Sequence, residues 1–569
     1  MRRHLRFNKF TLWLFVTALF FVGCATVDVA EIGRDARGTN GMVAAAHPQA
    51  SRVGVDILKA GGNAVDAAVA VGFALGVLEP NASGIGGGGF MLIWFAGSDE
   101  FVFIDSRGKA PVRATADMFE LDDQGKVIPD ARGFSPAAIG GRSIAVPGEV
   151  AGLLVAQERY GTMSRNQVMQ PAIGYAERGI PVSEVLAEMI AGHYETLVAF
   201  PASEKIYLTD GFPKEAGETV FNPDLAKTLR LIADQGRDGF YRGAVAQRIV
   251  DAVQADGGIM TLEDLAGYDV SFRTPVAGSY RGYKIVSAPP PSSGGTHVIE
   301  LLNIMENFDL GKMGLNTAES IHAWAEAMKL IYADRAEYMG DSDFIEIPLK
   351  VLTSKEYARS RFARIDLNEA TQQPAAGDPR PAESGGTSHF SVVYADGNMV
   401  AYTKTLNHFF ASGITVPGTG ILLNDQMDDF AKRPGQPNSI AGGKKPLSSM
   451  SPTLILKNGK PFATIGSPGG TRIISTMALL ISNLVDFGMD IQAAIELPRF
   501  NNYEDGPLKI EARIPADIRN GLIGRGHELD VRKDFDLYFG GAQGIIIDQK
   551  SGELHGGADP RRDGKAIGY

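Results

Sequence analysis

The sequence predicts an α+β fold built from long helical stretches and antiparallel strands. Apolar residues in 45–77 recur at three- and four-residue spacing, as on the buried face of a helix. The dipeptide Asp396-Gly397 separates two strand-like runs, a pattern typical of a β-hairpin. Further on, a strand pattern at 461–466 leads through a glycine turn into a helical pattern. The chain has 569 residues, of which 44% are hydrophobic, so material for a large core is plentiful.

The N-terminal segment predicts an export signal. Residues 1–9 are basic, and the apolar run at 10–23 is shorter than the ~20 residues of a membrane span. We therefore expect residues 1–23 to be a signal peptide and the protein to reach the bacterial periplasm or cell envelope. Cys24 follows a stretch that resembles a lipoprotein cleavage box, and its lipidation would tether the protein to a membrane without spanning it. An ordinary signal peptide with an incidental cysteine is the alternative.

The next stretches predict helices and close backbone packing. Gly61-Gly62-Asn63 divides the pattern at 45–77 into two helices, because this triplet suits a helix end followed by a new N-cap. A GxGxxG pattern starts at Gly84, but a strand pattern at 90–95 follows it. In a dinucleotide site the strand precedes the glycines and a helix follows them, so we do not expect a nucleotide here. We expect instead that the glycines allow close approach of another backbone segment. Residues 149–369 are rich in helical patterns.

A linker precedes the predicted hairpin. Residues 371–386 are polar, contain several prolines and glycines and have no apolar periodicity, which predicts a flexible linker or an exposed loop. If Asp396-Gly397 forms a two-residue turn, Thr405 lies opposite Ser388 and beside Thr387, within one or two residues. Local geometry alone therefore places two threonines together.

A strand, a tight turn and a helix are predicted at 461–466, 467–470 and 471–480. Backbone N–H groups at the start of a helix have no partner within the helix. The turn is thus expected to present free N–H groups.

Charge and cysteine content exclude several classes of function. The formal net charge is −11 and no long Lys/Arg run follows the first residues, which argues against nucleic acid as a partner. The single cysteine cannot form an internal disulfide or a cysteine-type zinc site. The chain contains no HExxH, EF-hand or CxxC motif, so neither a metal site nor a cofactor is expected.

An N-terminal nucleophile is one chemical solution that this sequence leaves open. A GxSxG motif is absent from the sequence, and Cys24 belongs to the signal region. A threonine exposed by chain cleavage can attack through its hydroxyl and use its own α-amine, with a pKa near ~7.7–8.0, as the base. Gly386 has no side chain to obstruct attack on its carbonyl by Thr387. Taken alone, the pattern at Thr387 favours an ordinary strand threonine over a nucleophile.

Ordered motifs decide between these interpretations. The cleavage motif GTSHFSVV at 386–393 is accompanied by GTGILLNDQMDDF at 418–430, PLSSMSPT at 446–453, GSPGGTRI at 466–473 and a C-terminal ADPRRDG. Over residues 40–569 the chain resembles the γ-glutamyltranspeptidase family of N-terminal-nucleophile hydrolases. The resemblance implies a four-layer αββα sandwich. It also implies self-cleavage into a large subunit, 24–386, and a small catalytic subunit, 387–569.

The resemblance also implies roles for individual residues. Thr387 would be nucleophile and, through its amine, base, and Thr405 would hydrogen-bond it and assist self-cleavage. The N–H groups of Gly469 and Gly470 would form the oxyanion hole. The α-carboxylate of a γ-glutamyl group would be held by Arg107, Ser448 and Ser449. The α-ammonium would be held by Asn407, Gln426 and Asp429. His389 and His408 are expected to be packing residues.

The implied substrates are glutathione and other γ-glutamyl compounds, with water, amino acids or dipeptides as acceptors. The segment 431–445, which corresponds to the lid of many family members, is short, contains no aromatic residue and is expected to give little apolar cover. An acylase, such as a cephalosporin acylase, or a polyglutamate-processing hydrolase is therefore the nearest alternative. An inactive surface-binding lipoprotein is the alternative from another class.

Overall fold

The computed structural model describes residues 33–372 and 386–569. The predicted signal peptide at 1–23, Cys24 and most of the predicted linker lie outside the described residues. No helix of the described part of the chain has the length and apolar character needed to cross a membrane.

Two seven-stranded antiparallel sheets form the centre of the fold. The hairpin predicted from the sequence lies in the middle of one of them, which we call the hairpin sheet. Its strands are, in spatial order, Lys565–Gly568, Gly41–Ala45, Gly386–Tyr394, Met399–Asn407, Gly88–Phe95, Glu100–Asp105 and Ser271–Arg273. The other, which we call the facing sheet, has the order Ala36–Gly38, Leu554–Ala558, Gln543–Ile547, Lys460–Gly466, Thr453–Lys457, Tyr283–Ser287 and Val276–Tyr280.

Helices cover both outer faces. One hydrophobic core lies between the hairpin sheet and a helical layer that includes Pro48–Lys59, Ala64–Leu78 and Glu149–Tyr160. A second core fills the space between the sheets and continues to the helices Gly294–Met305 and Ile473–Val485. The predicted four-layer αββα sandwich is therefore confirmed.

The remaining elements are short or lie around these layers. The other α-helices are Arg165–Arg178, Glu184–Gly192, Tyr194–Val198, Pro201–Tyr207, Pro223–Gln235, Asp238–Tyr241, Gly243–Ala255, Leu262–Ala266, Leu310–Met313, Ala318–Tyr338, Leu349–Leu352, Lys355–Phe362, Ile491–Glu496 and Ala516–Ile523. Single 3-10 turns lie at Gly141–Ser143, Gln426–Asp429, Gly470–Arg472 and Leu537–Phe539. Small sheets pair Ile180–Pro181 with Thr219–Val220, Leu208–Thr209 with Phe212–Pro213, Thr415–Val416 with Ile421–Leu422, and Phe500–Asn501 with Leu508–Glu511 and Leu529–Arg532.

The N-terminal helices and glycines follow the prediction. Asn63 caps the helix Ala64–Leu78, and the Asp66 carboxylate accepts a hydrogen bond from the backbone N–H of Asn63 in a capping box. A Cβ atom at Gly87 would collide with the carbonyl oxygen of Thr405. The glycine run therefore lets two backbones approach closely, beside one of the predicted site residues.

The hairpin register differs from the prediction by one residue. Thr387, rather than Ser388, pairs with Thr405. The turn contains three residues because Tyr394 bonds to Asn398, and Gly397 adopts a φ of 84° inside it. An Asp-Gly pair also suits this longer turn, in which the glycine occupies the left-handed position. The correction places the two threonines directly opposite each other.

Candidate active site

The central hairpin brings Thr387 and Thr405 into hydrogen-bonding contact. They form a cross-strand pair, and their Oγ1 atoms are 3.0 Å apart. Side chains alternate along a strand, so Thr387 shares the face of Val393, which packs in the core between the sheets. Only 4% of Thr387 and 3% of Thr405 is exposed.

The hydrogen bonds of Thr405 fix the direction of its proton. Its hydroxyl donates to the carbonyl oxygen of Gly386 at 2.8 Å and accepts from the backbone N–H of Asn407 at 2.8 Å. A hydroxyl has one proton to donate, so Thr405 must accept the proton of Thr387 in their shared bond. Thr405 thus polarises the carbonyl ahead of Thr387 and points the lone pairs of the Thr387 oxygen away from itself.

The backbone is irregular at the predicted cleavage bond. The pairing register shifts between Gly386 and Thr387, and Asn407 opposite them has a φ of 99°, which is strained for a residue with a side chain. A Cβ atom at Gly386 would overlap the backbone of His408. Only glycine fits this position without movement of the partner strand.

Gln426 supports the hairpin from the side. Its amide nitrogen donates to the carbonyl oxygen of Thr405 at 2.9 Å, and its amide oxygen accepts from the N–H of Gly108 at 3.0 Å. Both ends of the side chain are therefore engaged by backbone. The structure places Gln426 as a link between Thr405 and the loop that carries Arg107.

Arg107, Asp429 and Asn407 lie together. Arg107 and Asp429 form a short, buried ion pair with side chains 1% and 6% exposed. With its nitrogen turned toward the carboxylate, the Asn407 amide donates to both Asp429 oxygens, at 3.0 and 3.1 Å. The predicted cationic and anionic anchors are thus brought together, and in this structure they contact each other.

Ser448 and Ser449 follow Leu447, whose carbonyl oxygen lies 3.5 Å from Arg107 Nη2. Ser449 Oγ accepts from Arg335 Nη2 at 3.1 Å, and Ser448 Oγ accepts from a backbone N–H at 3.2 Å. The structure therefore brings the serine pair next to Arg107. It also adds Arg335, a second buried arginine that the sequence prediction missed.

The glycine turn at 467–470 adopts the predicted geometry. Gly469 and Gly470 have φ values of 137° and 58°, and the helix Ile473–Val485 follows. No acceptor within the described residues takes the N–H of either glycine. The preceding strand ends at Gly466, against the ring of His389, two residues from Thr387. The turn therefore lies at the same end of the hairpin as the threonine pair.

The segment 431–445 is held by specific contacts. Asn438 donates to the carbonyl oxygen of Asp429 at 2.7 Å and accepts from the N–H of Leu447 at 3.0 Å. Ile440 is buried in a small core with Met427 and Phe430. Although it lacks an aromatic residue, the segment is hydrogen-bonded to the loop that carries Asp429 and to the loop that carries Ser448 and Ser449.

Two charged pairs near the hairpin were not predicted. Arg562 donates from Nη1 to the carbonyl oxygen of Thr387 at 2.7 Å and pairs with Glu79 at 3.2 Å. His408 forms a short bond to Asp425. Burial opposes charging of this imidazole, but the carboxylates of Asp425 and Asp428 outweigh it and raise the pKa of His408 to about 10. His408 is therefore half of an ion pair rather than a packing residue.

His389 has the character that was predicted. It is fully buried between Thr403 and Ser391, with ring nitrogens 2.9 and 3.1 Å from their hydroxyls. Burial lowers the pKa of His389 to about 3, so the ring is neutral. It packs the hairpin against the facing sheet and carries no charge to the site.

One cluster within the described residues has ligand atoms close enough for a metal ion: His322, Glu326 and His527. The rings of His322 and His527 hydrogen-bond each other at 2.7 Å, and Lys329 pairs with Glu326 at 2.7 Å. These groups therefore satisfy one another by hydrogen bonds.

One sequence signal could have pointed to Arg562. The ADPRRDG motif contains this residue and was among the motifs of the family resemblance, but no role was assigned to it.

Comparison with known proteins decides the family. The profile of the gamma-glutamyltranspeptidase family matches residues 50–569. The chain belongs to the gamma-glutamyltranspeptidase family. A glutathione hydrolase proenzyme of Escherichia coli (strain K12) is 43% identical over 95% of this chain and 93% of its own length. A glutathione hydrolase proenzyme of Bacillus subtilis (strain 168) is 42% identical over 93% of this chain and 92% of its own.

Among solved structures, the cephalosporin acylase from Bacillus halodurans superposes with a TM-score of 0.86 at 31% identity, covering 96% of this chain and 98% of that chain. The family and the enzyme class that the motifs predict, a gamma-glutamyltransferase, are therefore confirmed. Every motif quoted for the gamma-glutamyltranspeptidase family lies in the described part of the chain.

Proposed function

We propose that this gamma-glutamyltranspeptidase cuts its own chain between Gly386 and Thr387, and then uses Thr387 to accept γ-glutamyl groups from glutathione and related compounds. The hydrogen-bond chain from Thr387 through Thr405 to the Gly386 carbonyl carries this proposal. It joins a nucleophile to the carbonyl that it would attack first. Residues 24–386 and 387–569 would become the large and small subunits.

Self-cleavage moves an acyl group from nitrogen to oxygen. The Oγ1 atom of Thr387 bonds to the carbonyl carbon of Gly386, the C–N bond breaks, and the hydroxyl proton ends on the new α-amine. Thr405 stabilises the negative oxygen of Gly386 during the step through the bond it already makes. Water then hydrolyses the ester, which leaves a carboxylate on Gly386 and a free hydroxyl on Thr387.

The same hydroxyl then acts on substrate. The α-amine of Thr387 removes the hydroxyl proton as Oγ1 attacks the γ-carbonyl, and the N–H groups of Gly469 and Gly470 receive the oxyanion. The protonated amine passes its proton to the leaving amine. The resulting γ-glutamyl ester is taken by water or by an amino acid or dipeptide amine.

The buried ion pair would recognise the amino acid head of the donor. A head group entering between Arg107 and Asp429 would give its carboxylate to the guanidinium and its ammonium to the carboxylate. The buried arginine–carboxylate contact would be replaced by two contacts of the same kind. Asn407 would support the ammonium side, and Ser448 and Ser449 the carboxylate side.

A gel and an activity assay test the proposal together. The purified protein should give two bands, and mass spectrometry should find a small subunit that begins at Thr387. Thr387→Ala should stay as one band and release no product from a γ-glutamyl anilide. A small subunit that begins at another residue would disprove the assignment, and an uncut, inactive wild type would favour the surface-binding lipoprotein.

An acylase is the second candidate, because the cephalosporin acylase shares almost the whole fold. The two functions differ in what the anchors must hold. A γ-glutamyl donor has an α-ammonium for Asp429, whereas a glutaryl donor has none. Comparing kcat/KM for γ-glutamyl and glutaryl anilides, with and without a dipeptide acceptor, separates the candidates.

For localisation we propose export through the segment 1–23, with lipidation at Cys24. The basic start, the short apolar run and the position of the chain's one cysteine support it. Metabolic labelling with a fatty acid, comparing wild type with Cys24→Ser, tests the anchor. Labelling of both proteins or of neither would overturn the assignment.

A further inference from the structure

Arg562 contacts the backbone of the candidate nucleophile, Thr387. It is 2% exposed, and its Nη1 atom donates to the carbonyl oxygen of Thr387 at 2.7 Å. The same nitrogen lies 3.2 Å from Glu79, which caps the end of the helix Ala64–Leu78. The guanidinium also lies over the ring of Phe409, 5.2 Å from its centre. A buried cation is thus held against the backbone of Thr387 by three different elements.

We propose that Arg562 is a positioning residue that orients Thr387 through its carbonyl group and keeps a positive charge beside its α-amine. The inference rests on the proposed function, in which that amine is the base. A base must be neutral to accept a proton, so a neighbouring cation that disfavours the ammonium form increases the active fraction near neutral pH.

Covalent geometry fixes the distance between the two groups. The nitrogen and the carbonyl oxygen of one residue are three bonds apart, so the guanidinium lies within about 6 Å of the Thr387 amine. A charge at about 4–6 Å in a buried site shifts a pKa by about one unit or more. In its ionised form Glu79 reduces this effect, because it contacts the same guanidinium; burial raises the pKa of its carboxyl, and the charge of Arg562 opposes that rise.

The other charged groups around Thr387 are paired, as Arg562 is with Glu79. Lys404 on the neighbouring strand pairs with Glu149 at 2.8 Å on the opposite face of the sheet. His408 bonds Asp425, and Arg107 bonds Asp429. Asp563 of the same C-terminal motif acts on both Glu79 and Arg562, and Asp559 acts on Arg562. Arg562 is the cation in direct contact with Thr387 among these described groups.

The pH dependence of kcat/KM for a γ-glutamyl anilide tests the proposal. Four mature proteins are compared: wild type, Arg562→Met, Arg562→Lys and Glu79→Gln. In Arg562→Met, the acidic limb of the profile of kcat/KM against pH should move to higher pH by about one unit. Activity should therefore fall about tenfold on the acidic side and recover at alkaline pH. Arg562→Lys should restore the limb, and Glu79→Gln should move it down.

Opposite shifts from the two partners are the signature of a charge effect. A uniform loss of kcat at every pH in Arg562→Met, with an unmoved limb, would overturn the proposal. If Arg562→Met does not mature, Glu79→Gln decides: a lowered limb supports the proposal and an unchanged limb overturns it. Mass spectrometry of the wild-type small subunit is the separate check, because a start other than Thr387 would defeat the proposed function itself.

Discussion

Thr405 donates its single hydroxyl proton to the carbonyl oxygen of Gly386, the residue immediately ahead of Thr387. The bond spans 19 residues of sequence and depends on the register of the central hairpin. Under the proposed function, this bond would let Thr405 polarise the Gly386 carbonyl during self-cleavage.

Thr405→Val should slow self-cleavage by about a hundredfold. The valine keeps the shape of the side chain, but it leaves the Gly386 carbonyl without its donor, and removal of one such donor costs about 10²–10³ in rate. The measurement is a time course of precursor conversion on a gel. Thr405→Ser retains the hydroxyl and should mature at nearly the wild-type rate. Equal maturation of the valine and serine variants would contradict the role.

Gly386→Ala should destabilise the precursor and impair its cleavage. The added methyl group would overlap the backbone of His408, and such overpacking costs about 1–3 kcal/mol. Gly97→Ala is the matched control, since a Cβ atom there meets nothing within 4 Å. Thermal unfolding and gel analysis of both variants provide the measurement. An alanine variant that matches the control in Tm and in cleavage would show that the strand moves aside freely.

Asp429→Asn should separate substrate binding from maturation. The substitution keeps the shape of the side chain but removes the anion that we propose binds the donor ammonium, and a hydrogen bond to a charged group is worth about 1.5–3 kcal/mol. The variant should mature normally and lose at least about tenfold in kcat/KM for a γ-glutamyl anilide. Retained kinetics in a fully processed variant would remove Asp429 from the donor site.

The His408–Asp425 pair should make stability depend on pH. Its neighbours raise the pKa of His408 from the ordinary 6.5 to about 10, so the folded state favours the protonated ring. This contribution is complete below pH 6.5 and is lost as pH rises toward 10. The Tm difference between wild type and His408→Gln should therefore shrink across that range. A constant difference from pH 6 to pH 10 would show that the imidazole acts through packing alone.

The sequence predicted local elements better than contacts between distant ones. Asp396-Gly397 located the hairpin, but the turn length that sets the register depends on the bond between Tyr394 and Asn398. The glycine turn at 467–470 was predictable because its backbone needs are local. Arg562 and Glu79 are 483 residues apart, and no periodicity reports such a contact.

Charged residues show the same limit. Arg107 and Asp429 were expected to hold opposite ends of one ligand, and a sequence pattern cannot show that they contact each other. Arg335 received no role from the sequence, because its bond to Ser449 follows from the packing of the helix Ala318–Tyr338 against the loop that carries Ser449. Motifs therefore identified candidate site residues, whereas the packing of the two sheets determines which of those side chains contact each other.

The strand order of the two sheets has a consequence for how the mature enzyme is made. Gly386–Tyr394 lies between Gly41–Ala45, from before the cleavage bond, and Met399–Asn407, from after it, and the facing sheet also draws strands from both sides. Each sheet is therefore shared between the two polypeptides, which do not form separate domains that pack against each other. Folding has to precede cutting, the nicked product cannot fall apart without unfolding, and two separately synthesised halves would each lack the neighbours that complete their sheets.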